Sequence, residues 1–509
     1  MDDIKKQVAF FILAFSMLLG GCADNIDDKI IIESGKNEIS LAIYSPDTLN
    51  PIRTLSDSVT EIMALVYEPL FEFTDDLIPV GCIAQKCVLS EDNTAASVFL
   101  NAEKRWHDGT PVTAYDIIYT INEIKRGKSL YKHNVEYIAS AEAAADGSVY
   151  LTFYEPVMNL EGLLSFPVIK ENSADTIAQN PMGTGKFKVQ ESGATRIIMS
   201  PSEENDESSV YKVSVSVKRN AQTCISAFET GELDAITSAC VDLGEVTPGG
   251  SITFGNYTAN FMTFLGFNCQ KEIFNAPYVR LAIEEKMNRT DIVEKAAFSR
   301  GTQCKIPVNP QSKIYKEADL LEIDVEGAMN KAGFIYSDGS YKDENGNSLS
   351  LGILTTNENA QKVKVAEMIA SQLTGFGIDA YTINVGFDEY TDRIKSGNFD
   401  MFVGEVEMKD NLDPGFLTSV GNYFGFRDDE LDSKLMVMRS AKDTDTLYSA
   451  VGEYARVFCM NPPFVPLFYR VESVVYTDTL SGMGIPGFYN RLDGMEKWYF
   501  KADSVKGTY

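Results

Sequence analysis

Histidine and tryptophan are scarce in this chain of 509 residues, which contains two of each. The histidines, His107 and His133, stand far apart, so they lack the paired spacing of a histidine-based metal site. The cysteines contain no CxxC pair, and the two closest, Cys82 and Cys87, have four residues between them. The sequence therefore predicts no metal site and no bound cofactor.

Motifs of nucleophilic and nucleotide-dependent enzymes are also missing. No Gly-x-Ser-x-Gly stretch, which would expose a serine nucleophile, occurs in the chain. The Walker phosphate loop needs a serine or threonine after its lysine, but Lys186 is followed by Phe187. Lys128 is followed by Ser129, yet Asn122 stands where that motif needs its first glycine. We therefore predict no catalytic residues and no enzyme activity.

Positive charge is in deficit, because 45 Lys and Arg residues face 73 Asp and Glu residues, for a net charge of −28. Long-range repulsion disfavours nucleic acids and anionic lipid surfaces as partners of such a chain. A solvated extracellular surface explains the same balance without a dedicated acidic site.

Long apolar runs are limited to residues 8–19, which are too few to span a bilayer. With Lys5 and Lys6 before it, the run is typical of a secretory signal. The following Leu-Gly-Gly-Cys resembles a bacterial lipobox, so residues 1–21 are expected to be removed and Cys22 to carry lipid. An ordinary signal peptide with a coincidental cysteine is the alternative. Residues 22–36 would then tether an extracytoplasmic protein to the cell membrane through Cys22 alone.

Alternation of strand and helix patterns predicts an α/β fold. The predicted strands are residues 38–44, 96–102, 148–154, 379–385 and 399–408. The predicted helices are residues 56–67, 277–288, 359–373 and 387–397. The alternation implies an α/β layer with a partly parallel sheet. Linkers rich in Pro, Gly or Ser are missing, so the domains are expected to be interleaved along the chain. Besides Cys22 the chain has seven cysteines, an odd number, and no disulfide pairing is predicted.

The stretch KRWHDGTPVTAYDIIY, residues 104–119, contains His107 beside Asp108. Asp108-Gly109 supplies a tight turn, and Thr113 with Asp116 fits a capping box at the start of a helix. His107 has no candidate partner nearby except Asp108. We interpret the stretch as the join between a strand and a helix, not as a catalytic cluster.

The same stretch, extended to RWHDGTPVTAYDIIYTI at residues 105–121, closely resembles a signature of the bacterial extracellular solute-binding proteins of family 5, the peptide and nickel binders of ABC importers. Further stretches resemble the family in the family's order over nearly the whole mature chain. They are DTLNP (47–51), LVYEPLFEF (65–73), NPMGTGKFKV (180–189), AFETGELDAIT (227–237), FLGFN (264–268), PYVRLAIEEKMNR (277–289), KAGF (331–334), SGNFDMFV (396–403) and PPFVPLFY (462–469).

The resemblance implies an α/β, two-lobed periplasmic-binding-protein-like fold (type II, cluster C) with an additional third domain and a ligand cleft between the lobes. Domain I would comprise residues 37–75, 175–266 and 470–509. Domain II would comprise residues 76–174, and domain III residues 267–469. Closure about a hinge would bury the ligand, and a membrane permease would recognise the closed form.

The resemblance also implies a site around Asp410, in GEVEMKDNLDPGFL at residues 404–417. In peptide-binding members, the aspartate at this place pairs with the α-ammonium group of the ligand. Glu407 and Met408, just before it, are expected ligand contacts, and analogy alone adds Tyr469, Asn50 and Arg53. The family usually carries tryptophan where Glu407 stands, and an extra acid there favours a more cationic ligand.

The function that follows is that of a monomeric substrate-binding lipoprotein, which captures extracellular di- or oligopeptides and delivers them to the permease subunits of an ABC transporter. A surface receptor for a peptide signal would have the same sequence features. Nickel chelates and oligosaccharides are alternative ligands within the family. A secreted hydrolase is disfavoured by the missing catalytic motifs.

Overall fold

The computed structural model describes residues 36–202, 210–242, 248–318, 322–419 and 421–501. The predicted signal peptide, Cys22 and residues 22–35 of the predicted tether lie outside the described residues. Within those residues, no helix combines the length and apolar character needed to cross a bilayer.

Strands are the more numerous elements. In chain order the described strands are β1 (Glu38–Tyr44), β2 (Phe71–Phe73), β3 (Pro79–Gly81), β4 (Ala84–Leu89), β5 (Ala95–Leu100), β6 (Ile138–Ala143), β7 (Val149–Phe153), β8 (Phe187–Ser192), β9 (Arg196–Pro201), β10 (Lys212–Lys218), β11 (Ala235–Thr237), β12 (Ile252–Phe267), β13 (Gly301–Gln303), β14 (Ile335–Ser337), β15 (Ser340–Lys342), β16 (Ser350–Thr356), β17 (Asp379–Val385), β18 (Met401–Glu407), β19 (Phe464–Thr477), β20 (Leu480–Ser481) and β21 (Tyr499–Phe500).

The helices pack against the sheets. The described helices are α1 (Asp57–Met63), α2 (Ala114–Arg126), α3 (Lys132–Val135), α4 (Leu160–Leu163), α5 (Ala221–Glu229), α6 (Glu272–Asn275), α7 (Tyr278–Lys286), α8 (Arg289–Lys295), α9 (Val325–Lys331), α10 (Ala360–Phe376), α11 (Phe387–Lys395), α12 (Gly415–Thr418), α13 (Asp429–Arg439) and α14 (Thr444–Met460), with a 3₁₀ turn at Met495–Lys497.

Three large sheets organise the described residues. The first has the order β1-β10-β9-β8 and the second β4-β5-β7-β6. The third has the order β11-β19-β12-β18-β16-β17, with β13 added beside β19. Parallel pairing of β1 with β10, and of β16 with β17 and β18, confirms the predicted partly parallel α/β fold.

Two separate hydrophobic cores define two lobes. One core is built almost entirely from residues 262–469, and the other from residues 39–259 together with residues 474–500. The second core contains residues of both the first and the second sheet, so these two sheets belong to one lobe. The two-lobed architecture expected from the sequence is thereby confirmed.

The long strands β12 and β19 cross from one lobe to the other. Tyr257 of β12 packs in one core and Met262 in the other. Their antiparallel register is interrupted at the crossing, where residues 259–261 of β12 face only Arg470 of β19. Such a bulge loosens the ladder locally and lets the strands bend. The crossing is therefore the natural hinge between the lobes.

Several local predictions are confirmed within one or two residues. The strand at residues 38–44 is β1, and the predicted capping box starts α2, where Asp116 Oδ2 accepts hydrogen bonds from the backbone N–H and hydroxyl of Thr113 at 2.8 and 3.0 Å. Gly377 ends α10 with φ of +99°, a conformation that glycine adopts without steric cost.

The predicted helix at residues 56–67 is shorter, because α1 ends at Met63. The carbonyls of Leu65 and Val66 accept hydrogen bonds from the backbone of Phe187 and Gly185 instead of continuing a helix. Gly183 allows this approach, since a Cβ on it would lie 1.8 Å from the carbonyl oxygen of Val66. The neighbouring loop therefore determines where α1 stops.

His107 joins the strand–helix stretch to that same loop. Its Nε2 lies 2.9 Å from the carbonyl oxygen of Gly185, and Gly183 donates its backbone N–H to His107 Nδ1 at 3.3 Å. Asp108 accepts from Thr110 and forms an ion pair with Lys170. Both side chains thus have structural partners, as the turn interpretation expects.

Candidate ligand-binding site

A cavity of about 1040 Å³ lies between the lobes. This volume is at the upper end of the range typical of ligand sites and accommodates a short peptide. Its walls include residues on both sides of the crossing strands, among them Phe261, Arg470 and Glu472. Ten carboxylate side chains line it, against four Lys or Arg side chains and His133. The carboxylates belong to Asp57, Glu61, Glu68, Glu72, Asp75, Glu407, Asp410, Glu472, Asp493 and Glu496, and the cations to Lys104, Lys186, Arg470 and Arg491.

Asp410 lies at this cavity, just after β18, and is only 8% exposed. Its Oδ2 accepts hydrogen bonds from Asn134 Nδ2 at 2.7 Å, from His133 Nε2 at 3.2 Å and from Ser165 at 3.4 Å. Among the described residues, its Oδ1 accepts only from the Tyr489 hydroxyl, at 2.9 Å. A carboxylate oxygen has two lone pairs, so Oδ1 can accept one more donor.

The loop that carries Asp410 fits closely against α4. A Cβ on Gly162 would lie 2.5 Å from the backbone oxygen of Asp410. The backbone of the two lobes therefore meets here with no room for a side chain. This contact fixes the position of the Asp410 backbone against α4.

The charge of Asp410 also affects its neighbours. Burial alone would lower the pKa of His133, but the hydrogen bond to Asp410 and the charges of Asp410 and Glu407 outweigh burial and raise that pKa. No Lys or Arg of the described residues pairs with Asp410. His133 is therefore the group that can neutralise Asp410 when the cavity holds no ligand.

Glu407 projects into the cavity at the end of β18. Burial, and next the negative charge of Asp410, raises its pKa to about 7. The side chain is nevertheless accessible to water, because it faces the cavity. The burial that raises its pKa comes from the protein that surrounds the cavity on several sides. It has no hydrogen bond or ion pair with any described residue.

The cavity cations, by contrast, all have acidic partners. Lys104 pairs with Glu68 at 2.7 Å, and Lys186 with Glu496 at 2.8 Å. The remaining two arginines converge on one glutamate at the strand crossing: Arg470 and Arg491 approach Glu472 at 2.7 and 3.8 Å. These pairs leave little positive charge free to meet a ligand carboxylate or phosphate.

Glu61 is, like Asp410, almost completely buried, with 7% of its surface exposed. Its Oε2 accepts a hydrogen bond of 2.5 Å from Thr237, while its Oε1 is shielded from water and has no partner among the described residues. Burial raises its pKa to about 7, against the lowering effects of Arg491 and Thr237.

Of the residues predicted to contact ligand, the structure brings Asp410 and Glu407 to the cavity. Met408 points into the hydrophobic core of its own lobe, and its backbone pairs with Asn260. Tyr469 is fully buried within β19. Neither side chain lies among the described residues that line the cavity.

Asn50 and Arg53 serve as structural ties instead of lining the cavity. Asn50 donates to the carbonyl of Ala174 at 2.9 Å, and Arg53 forms ion pairs with Glu123 and Asp175. The loop after β1 is thereby fastened to α2 and to the segment near residue 174. Family analogy predicted both residues as ligand contacts, but their side chains bond to other residues of the same lobe.

The sequence did not indicate His133, Tyr489 and Glu61 as cavity residues, or Asn134 as a partner of Asp410. Asn134 is 276 residues away from Asp410 in the chain, and Tyr489 is 79 residues away. No local pattern marks any of the four, because their proximity arises only from the packing of the lobes.

Two lobes, two crossing strands and a cavity between them are the architecture of a two-lobed solute-binding protein. The model of the bacterial extracellular solute-binding proteins, family 5 (middle region), matches residues 79–425. The chain belongs to this family.

Among relatives, the oligopeptide-binding protein AppA of Bacillus subtilis (strain 168) is 20% identical over 507 residues, which cover 92% of each chain. The dipeptide-binding protein DppE of the same organism is 21% identical and covers 90% of this chain and 89% of its own. Among solved structures, NikZ from Campylobacter jejuni in complex with Ni(L-His) is 19% identical, covers 92% of this chain and 100% of its own, and has a TM-score of 0.65. These likenesses agree with the fold described above.

Proposed function

We propose that the protein is the substrate-binding lipoprotein of an ABC importer and that it captures short extracellular peptides by closure of its lobes. Its membership of family 5 and its similarity over nearly full length to proteins named for oligopeptide and dipeptide binding support this proposal. Closure about the β12–β19 crossing would bury the peptide and present both lobes to the permease.

Asp410 is the observation on which the proposal depends. It combines a position at the cavity, low exposure, an open acceptor site on Oδ1 and the lack of a Lys or Arg partner in the described residues. A peptide α-ammonium would supply the missing cation, and a closed cleft would strengthen the pair by excluding water. The free amino end of the peptide would then be the part that the protein recognises most strictly.

The edge of β18 offers sites for the peptide backbone. On one side β18 pairs with β12 along its whole length, whereas on the other it pairs with β16 only at Met401 and Phe402. Beyond those residues the second edge is open within the described strands. A peptide laid there as an added strand would bind through main-chain hydrogen bonds, which are indifferent to side-chain identity.

We extend the proposal to the anchor and the domains. Lipid on Cys22 would hold a monomer at the outer face of the cell membrane. The division into domain I (residues 37–75, 175–266 and 470–509), domain II (76–174) and domain III (267–469) would place the first two domains in one lobe. The common core of residues 39–259 supports that grouping.

The test is calorimetry of Asp410→Asn with a short peptide and with the same peptide acetylated at its N-terminus. The wild type should bind the free peptide and reject the acetylated one. The variant should lose about 3–5 kcal/mol of binding free energy for the free peptide, the usual cost of removing one partner of a buried charge pair. Asp388→Asn, an exposed aspartate outside the cavity, is the matched control. Equal affinities in the wild type and Asp410→Asn would refute the anchor.

A further inference from the structure

The balance between paired and unpaired charges distinguishes this cavity. Each of its four Lys and Arg side chains already has a carboxylate partner. Glu407 has neither a hydrogen bond nor an ion pair with a described residue, although it lies against the same cavity as Asp410. Water reaches Glu407 in the cavity, and a ligand that displaced this water would make the unpaired carboxylate costly unless the ligand brought a cation.

Glu61 is a second and independent sign of a missing cation. The residue lines the cavity and is more than nine-tenths buried, and its Oε1, itself shielded from water, accepts no hydrogen bond from the described residues. Buried polar atoms are almost always satisfied, so this acceptor lacks a donor that none of the described residues supplies.

Asp57 connects the two glutamates electrostatically. It lines the cavity at the start of α1 and is near enough to disfavour ionisation of both Glu61 and Glu407. Asp410 does the same to Glu407. Asp57 and Asp410 thus both act on Glu407, and a cation placed among these acids would favour their charged forms.

A metal ion is a poor occupant of this region. In the part of the chain that the structure describes, no three His, Cys, Asp or Glu side chains are grouped to hold a metal. Divalent cations in proteins are bound by several converging ligands. Separated carboxylates suit the distributed charge of an organic cation better.

We infer that the cavity selects peptides whose first residue carries a basic side chain, with Asp410 receiving the α-ammonium group and Glu407 the side-chain ammonium or guanidinium. This inference rests on the proposed peptide-binding function and adds a preference to it. A lysine side chain is a flexible four-carbon stem ending in a compact charge, so it can reach from one acid to its neighbour. Glu61 would meet the same charge, or the next donor along the peptide.

The experiment compares peptides that differ only in charge. Calorimetry would measure Lys-Ala-Ala against norleucine-Ala-Ala, and Arg-Ala-Ala against citrulline-Ala-Ala, with the wild type. The cationic member of each pair should bind about tenfold tighter or better, as expected for a charge paired across a partly desolvated site. In Glu407→Gln the difference within each pair should largely disappear.

Glu103→Gln is the matched control variant. Glu103 is exposed and outside the cavity, so its replacement removes the same net charge without touching the site. The preference for basic peptides should persist in this variant. Its loss there would mean that net charge alone produces the preference, and the inference would be overturned.

The outcomes separate this inference from the proposed function. Equal affinity of the wild type for charged and uncharged members would overturn the basic preference and leave peptide binding intact. A preference that survives in Glu407→Gln would overturn the assignment to Glu407. Failure of every peptide to bind would overturn both.

Discussion

Asn134 and Asp410, 276 residues apart in the chain, share a hydrogen bond of 2.7 Å across the contact between the two lobes. His133, the preceding residue, reaches the same carboxylate oxygen at 3.2 Å. Two adjacent side chains of α3 thus hold the proposed ligand anchor from the opposite lobe. The strength of this contact depends on pH, because one of the two donors titrates.

The first prediction concerns His133. Its pKa is raised in the folded protein, so the pair with Asp410 stabilises the fold below the unfolded histidine pKa of about 6.5, and this contribution is lost as pH rises through the higher folded pKa. His133→Gln should therefore lower the free energy of unfolding at about pH 5 by roughly 0.5–1 kcal/mol, a small value because the side chain is 35% exposed. At about pH 9 the variant and the wild type should be equally stable. Urea unfolding at both pH values measures the difference, and a deficit independent of pH would contradict the prediction.

The second prediction concerns Gly162. In Gly162→Ala the new Cβ would lie 2.5 Å from the backbone oxygen of Asp410, which cannot yield without moving the loop. We expect a loss of about 1–3 kcal/mol in stability, as is typical of overpacking, together with weaker peptide binding. Gly375→Ala is the control, because nothing lies within 4 Å of its Cβ position near the end of α10. That control should be neutral or slightly stabilising, and equal behaviour of the two variants would exclude the steric explanation.

The third prediction concerns the buried ion pair between Arg439 and Asp413, which follows Asp410 by three residues in the chain. Arg439 Nε lies 2.8 Å from Asp413 Oδ2, and Asp413 Oδ1 also accepts the backbone N–H of Gly415 at 2.7 Å. The Asp413 side chain is only 4% exposed. Asp413→Ala should cost about 3–5 kcal/mol of unfolding free energy, because it leaves the guanidinium without its buried partner.

Glu155 offers a control on the same arginine. It approaches Arg439 at 3.6 Å but is 50% exposed. Glu155→Gln should therefore cost less than about 1 kcal/mol. Thermal unfolding of both variants gives the comparison, and similar losses in both would mean that burial does not set the strength of these pairs.

The sequence was most informative where the cause of a structure lies within a few residues. The capping box of Thr113 and Asp116 depends on hydrogen bonds between residues three apart in the chain, and it is present. The early end of α1 was not predictable, because backbone N–H groups of the distant loop at residues 183–187 donate hydrogen bonds to the carbonyls of Leu65 and Val66.

The cavity was only partly predictable for a related reason. Asp410 and Glu407 could be found through a motif, but Asn134, Tyr489 and Glu61 join them through contacts between distant segments. Tyr469 was expected to contact ligand, but its side chain is buried within β19 and does not line the cavity. The first six residues of β19 are all buried, so no alternation of polar and apolar residues indicates which face of the strand meets ligand.

The last prediction concerns Glu61 in the protein without ligand. Burial raises its pKa from 4.5 in the unfolded chain to about 7 in the folded protein. The folded state therefore binds more protons than the unfolded state between these pH values. The contribution of Glu61 to the free energy of unfolding is fully present below about pH 4.5 and is lost as pH rises through about 7. Glu61→Gln keeps an oxygen that can accept from Thr237 but removes the buried charge. The variant should unfold at a higher temperature than the wild type at about pH 8.5 and at a similar temperature at about pH 4.5.

Differential scanning calorimetry over that pH range measures the effect, with Glu103→Gln as an exposed glutamate for comparison. A basic peptide should reduce the advantage of Glu61→Gln at high pH, because a ligand cation near Oε1 stabilises the wild-type carboxylate and not the amide. If the variant is less stable than the wild type at high pH, Glu61 is already neutralised within the protein. The open acceptor on Oε1 would then not be reserved for a ligand.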